Sequence, residues 1–205
     1  MKLDDLLASF ESEDEVNDSL SLLYSLTVKI DSRLIGKLTN LIKSPSSINN
    51  TNAFASLLAE FACREFVAPL VETISKAEGA GEVWLADYLY ALGAVLSFDD
   101  IKFDFDESFV HLLGDWLQNS GGGEFALKSA IILAEINHPA CREYYVNCVR
   151  DTEQFHQARI ACLGGLVNQY GLTEVDLYRE LEKDEDPIFL EALQGAMAFM
   201  KSTNK

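Results

Sequence analysis

The side chains best suited to chemistry are scattered through this sequence rather than clustered. Its three histidines, His111, His138 and His156, fall in different segments. None has an Asp or Cys at the spacing that a metal site or a catalytic triad needs. His138 precedes Pro139 and reads as a turn residue. The four cysteines, Cys63, Cys141, Cys148 and Cys162, form no C-x-x-C pair. Each lies in an apolar stretch, where a buried free thiol is expected. Gly121-Gly122-Gly123 lacks the Lys-Ser/Thr of a phosphate loop and follows a helical pattern, so it reads as a linker. The run from Asp99-Asp100 to Asp104-Phe105-Asp106-Glu107 concentrates carboxylates without the glycine turn of a calcium loop. These patterns predict no catalytic residue, no metal and no cofactor, and so a protein that is not an enzyme.

The elements that must carry these residues are helices. Apolar residues recur at three- and four-residue spacing almost throughout, and no strand-like alternation persists. Helices are predicted at about 15–29, 32–43, 52–63, 65–77, 83–97, 107–119, 123–137, 140–150, 153–169, 173–183 and 187–201, with a short one at 3–10. Ser44-Pro45-Ser46-Ser47, Gly79-Ala80-Gly81 and Gly121-Gly122-Gly123 separate them. Gly171 is placed to end a helix, Thr173 to cap the next, and Asp186-Pro187 to open the last. Trp84 and Trp116 fall on apolar faces and are expected in the core. Most links are short, so neighbouring helices should run antiparallel. The exception, Phe98 to Asp106, interleaves aromatics with acids. It reads either as an interaction loop or as an insertion folded back on the helices.

An internal repeat sets the fold expectation. A shift of 30 carries Leu133 to Leu163 and Leu163 to Leu193. Upstream, Leu92 precedes Leu133 by 41, Leu58 precedes Leu92 by 34, and Leu26 precedes Leu58 by 32. The stretch from Leu58-Ala59-Glu60-Phe61 to Pro69-Leu70-Val71-Glu72 resembles a HEAT-like repeat, and so does Leu133-Ala134-Glu135-Ile136-Asn137-His138-Pro139-Ala140. The resemblance covers about residues 15–201. The units vary in length, and the arginine usual early in the first helix is largely missing. It implies an all-α fold, a right-handed α-solenoid of about five to six stacked antiparallel helix pairs forming one domain over residues 1–205. One helix pair cannot bury its apolar stripe alone, whereas stacked pairs share a continuous core.

The resemblance also implies that the second helix of each pair lines a concave face. Aligned on their core leucines, those helices present one outward position each: Asn40, Glu72, Asp115, Asn147 and Arg179. Glu143, Asp176 and Glu180 lie nearby. The set reads either as a solvated helix face or as a partly acidic groove for a partner. In the second reading Glu72 and Asp115 form its centre. The loop beside them contributes Phe103 and Phe105 as aromatic anchors and Asp104 and Asp106 as charge.

Charge narrows the partner. With 33 Asp and Glu against 16 Lys and Arg, the formal net charge is −17. Such a chain repels phosphate backbones and anionic lipid, so neither nucleic acid nor a membrane is an expected partner. Opposite fields steer association, which points to a basic protein; the same charge also serves solubility alone. No apolar run approaches a bilayer span, and acids follow Met1-Lys2-Leu3 where a signal peptide would continue apolar, so a cytoplasmic location is expected. The reading is a non-catalytic protein-binding module, most specifically a cytosolic immunity protein neutralising a basic toxin. The alternatives are a HEAT-like adaptor or assembly chaperone, or a HEAT-like enzyme such as a bilin lyase or DNA glycosylase. A lyase lacks ligand-facing groups here, and a glycosylase needs a basic groove.

Overall fold

A computed structural model describes residues 32–77, 82–98, 101–119 and 123–203. The helices expected at 3–10 and 15–29, Leu26, the turn at 79–81, Asp99, Asp100, Gly121 and Gly122 lie outside the described residues. Among the described residues the structure is helical, with no strand. No helix among them is long and apolar enough to cross a membrane. Two compact units divide the chain, Met1–Phe103 and Asp104–Lys205.

In the first unit α1 spans Ser32–Ile42, α2 Thr51–Phe61, α3 Val67–Ile74 and α4 Leu85–Leu96. The four-residue spacing of Leu34, Leu38 and Ile42 gives α1 one buried stripe. That stripe packs on α3 and on the 3-10 turn Arg64–Phe66. Asn50 starts α2 by accepting the Ala53 N–H at 2.9 Å, satisfying a donor with no helical partner. Helix α4 packs on both α2 and α3. Asp87 on α4 receives the Thr51 hydroxyl at 2.5 Å, tying α4 to the start of α2. Phe54, Leu58, Phe66, Leu70, Ile74, Leu89 and Leu92 fill the core.

In the second unit α5 spans Glu107–Asn119, α6 Glu124–Glu135, α7 Cys141–Arg150, α8 His156–Tyr170, α9 Val175–Leu181 and α10 Pro187–Thr203. Helix α6 packs on α8 and α8 on α10, while α5 packs on α7. Across these rows α5 meets α6 and α7 meets α8. Leu133, Leu163 and Leu193, which the shift of 30 aligns, are all buried. Gly171 ends α8 at a φ of 51°, a region costly for any residue with a Cβ. Asp186 caps α10, its carboxylate accepting the N–H groups of Ile188 (2.9 Å) and Phe189 (3.3 Å), with Pro187 at the first helical position.

One buried ion pair crosses this unit. Arg159 is 1% exposed and its Nη2 donates to Asp184. The same Nη2 donates at 2.9 Å to the Val149 carbonyl near the end of α7, and the guanidinium lies 4.0 Å over the Phe189 ring. One arginine early in α8 thereby links α7, the α9–α10 turn and α10.

Several expectations need correction. Thr173 does not cap α9; its hydroxyl donates at 2.6 Å back to the Tyr170 carbonyl, and residues 171–174 wind as a 3-10 turn. Local back-bonding of this kind competes with capping. Trp84 is half-buried rather than core, and half-buried Trp116 packs edge-on against Phe125 at 6.4 Å. Cys141, Cys148 and Cys162 are buried free thiols, as expected, but Cys63 is only half-buried. Phe105 is 8% exposed and stacks on Phe109 at 5.8 Å. It belongs to the core of the second unit and is not an exposed anchor.

Candidate functional site

Within the second unit, α5 and α7 bring their exposed polar faces together. Gly114 makes this possible. A Cβ there would fall 2.2 Å from the Tyr144 ring, so the ring lies directly against the α5 backbone. One turn earlier on α5, His111 Nδ1 stands 2.8 Å from the Tyr144 hydroxyl oxygen in a hydrogen bond. The two rings meet edge to face at 5.9 Å and 69°. Glu107, a further turn back, places a carboxylate oxygen 3.5 Å from His111 Nε2.

Carboxylates flank this pair of rings. Burial first, and then the charges of Asp115 and Glu143, push the Tyr144 phenol above its ordinary range. The phenol keeps its proton at neutral pH, and the imidazole tautomer sets which of the two groups donates in its hydrogen bond with His111. Asp115 on α5 and Glu143 and Asn147 on α7 are exposed. An aromatic ring held on a rigid helix beside two carboxylates is suited to a cationic side chain, through cation–π attraction and charge-assisted hydrogen bonds. Among the described residues no three His, Cys, Asp or Glu side chains gather as a metal site would require.

Of the expected site residues, Asp115 and Glu143 both flank Tyr144, and Asn147 is exposed one turn beyond Glu143 on α7. Asp176 and Glu180 are exposed on α9, but their charge is already engaged. Asp176 accepts from Arg179 at 3.1 Å. Glu180 takes both Nε (3.1 Å) and Nη2 (2.8 Å) of Arg150, a fork that lowers its carboxyl below the usual range. Asp106 caps α5 by accepting the Ser108 N–H at 2.8 Å, and that hydrogen bond lowers its carboxyl. Asp104 is exposed and Phe103 half-buried.

Glu72 belongs to the first unit and keeps different company from that expected. Its carboxylate lies 2.7 Å from Lys76 Nζ and 3.7 Å from Lys43 Nζ. The hydrogen bond from Lys76, its charge and then that of Lys43 lower the carboxyl. Glu72 is therefore exposed but already paired with two lysines. It lines a cavity of about 250 Å³ with Lys43, Pro45, Thr73, Lys76 and Trp84.

Sequence reasoning missed His111 and Tyr144 as a pair. They are 33 residues apart, close to the shifts that align the leucines, so sliding the α5 pattern onto α7 would have matched them. No family model matches the chain, and no curated protein and no solved structure matches it.

Proposed function

We propose that this protein is a non-catalytic binding module, a HEAT-like helical stack that docks a basic protein on the α5–α7 face. The observation that carries the reading is the Tyr144 ring, fixed on Gly114 and His111 and flanked by the exposed carboxylates of Asp115 and Glu143. The net charge of −17 favours the same partner sign, because it accelerates encounter with cations. In its sharpest form the partner is a basic toxin that attacks nucleic acid, neutralised in the cytoplasm by an acidic plug. Phe105 and Glu72 drop out of the interface first expected. Asp115, Glu143 and Asn147 stay in it, with Tyr144 and His111 added.

The test is co-purification followed by kinetics on the recovered partner. Asp115→Lys with Glu143→Lys should slow association and flatten its salt dependence, since exposed charges act on encounter. Tyr144→Ala should raise the dissociation rate by removing a buried aromatic anchor. Loss of the partner's nuclease or other nucleic-acid activity on binding marks an immunity protein; retained activity marks an adaptor or assembly chaperone. Unchanged rates in all these variants, with the helical spectrum intact, would remove the α5–α7 face from the interface. A partner of acidic charge would remove the reading itself.

A further inference from the structure

The cavity at Glu72 has two cations and one anion in its lining, in a chain whose overall excess is acidic. Residues 32–77 hold five lysines and arginines against three glutamates, inside a protein of net charge −17. Two of those lysines, Lys43 just after α1 and Lys76 just after α3, line one cavity of about 250 Å³. Glu72 sits between them and can neutralise only one of their two charges. Trp84 forms an indole wall, and Pro45 adds apolar surface. The indole N–H is not free for a ligand, because it donates at 3.0 Å to Glu82. What Trp84 offers is its ring.

The geometry points to a binding site for a carboxylate carried on a small aromatic body. Two ammonium groups held by one internal carboxylate would receive the acid, and the indole with Pro45 would receive the ring. The volume lies just below the usual range for drug-sized ligands and suits a single ring with its acid. The acidic remainder of the chain does not forbid this. At physiological salt, exposed charges more than about 8 Å away are largely screened. Nearer at hand, the Glu82 carboxylate is held by the Trp84 indole N–H and does not line the cavity, so the charges that line it are Lys43, Lys76 and Glu72. Glu72 becomes an internal competitor for both ammonium groups, which gives the proposal a signed consequence. Removing the charge of Glu72 should strengthen binding, whereas removing a lysine should weaken it.

The experiment is a ¹H–¹⁵N titration of the full chain with benzoate, using benzamide as the neutral isostere. Benzoate should give saturable shifts at the Trp84 indole N–H and the backbone amides of Lys43, Glu72 and Lys76, while benzamide should not. Glu72→Gln should tighten benzoate binding by about fivefold, and Lys43→Met or Lys76→Met should weaken it by about as much, the scale of one partly exposed ion pair. All three side chains are exposed, so these variants should fold. A dipeptide ending in a free phenylalanine carboxylate separates two sources of the group. If it binds more tightly than benzoate, the ligand is a chain terminus; if less, a small organic acid. Equal binding of benzamide, no saturable shift with benzoate, or weaker binding in Glu72→Gln would each overturn the proposal.

Discussion

Two tyrosine rings in the second unit lie where a glycine leaves room, and they differ in what would yield to a Cβ. Tyr144, against Gly114, is half-exposed, so a Cβ there would push it toward solvent at the loss of its His111 hydrogen bond. Tyr145, against Gly165, is buried and has no such way out. A Cβ at Gly165 would stand 2.7 Å from its ring carbon Cζ. That ring is pinned by its hydroxyl, which donates to the Leu133 carbonyl and accepts from Gln169 Nε2 at 3.1 Å. Overpacking of a fixed group costs about 1–3 kcal/mol, against a gain in helix propensity of up to about 1 kcal/mol. Gly165→Ala should therefore lower the melting temperature, and a higher one would show that Tyr145 can move. The Arg159–Asp184 pair gives a second prediction. Burial alone would raise the Asp184 carboxyl. Hydrogen bonds from Arg159 and from the Asp186 N–H, with the arginine charge, outweigh burial and hold it below the usual range. A depressed native pKa adds stability above the unfolded value, about 3.9, and that stability fades as pH falls through the native value. Asp184→Asn should accordingly lower urea-unfolding stability at neutral pH and make its decline below about pH 4 shallower. An identical acid slope in both proteins would show that Asp184 does not titrate with the fold.

At the scale of the elements, the buried leucines at equivalent places in α6 and α8 should carry much of the packing. Leu133 is 0% exposed and Leu163 2%. Truncating either to alanine should cost about 2–5 kcal/mol, the range for buried leucines in packed cores. Chemical denaturation measures it, and a loss under about 1 kcal/mol at both sites would place the helix seam elsewhere. These helices were legible because periodicity survives without tertiary knowledge. The prediction of 107–119 agrees with Glu107–Asn119, and Asp186-Pro187 marks the start of α10. Thr173 was misread because its hydroxyl can bond backward to Tyr170 as readily as forward. Phe105 was misread because an aromatic between aspartates looks solvent-facing until the chain folds it onto Phe109. The acids of the α5–α7 face were found from helix register, but their electrostatic surroundings were not. Whether a carboxylate is already engaged depends on arginines and lysines far away in sequence, as Arg150 is from Glu180 and Lys43 from Glu72.

At the scale of the whole chain, the dominant fact is 33 acidic against 16 basic side chains. Salt acts on this in two opposite ways. It screens attraction within exposed pairs such as Arg150–Glu180 and Lys76–Glu72, which contribute little to stability. It also screens repulsion among the acids that have no cation to meet, and with this imbalance many acids have none. The buried Arg159–Asp184 pair, with side chains 1% and 5% exposed, is screened least and keeps most of its attraction. Self-repulsion in a compact, strongly charged protein is a destabilising term that spans the molecule. It should therefore outweigh the attraction within exposed pairs. Raising sodium chloride from about 0.01 M to about 0.15 M, where the screening length drops from about 30 Å to about 8 Å, should raise the melting temperature at pH 7. Chloride is the anion to use, because sulfate would stabilise by exclusion from the surface whatever the charge. A melting temperature that falls with added chloride would mean that the exposed ion pairs, and not the excess of acid, set the electrostatic stability of this protein.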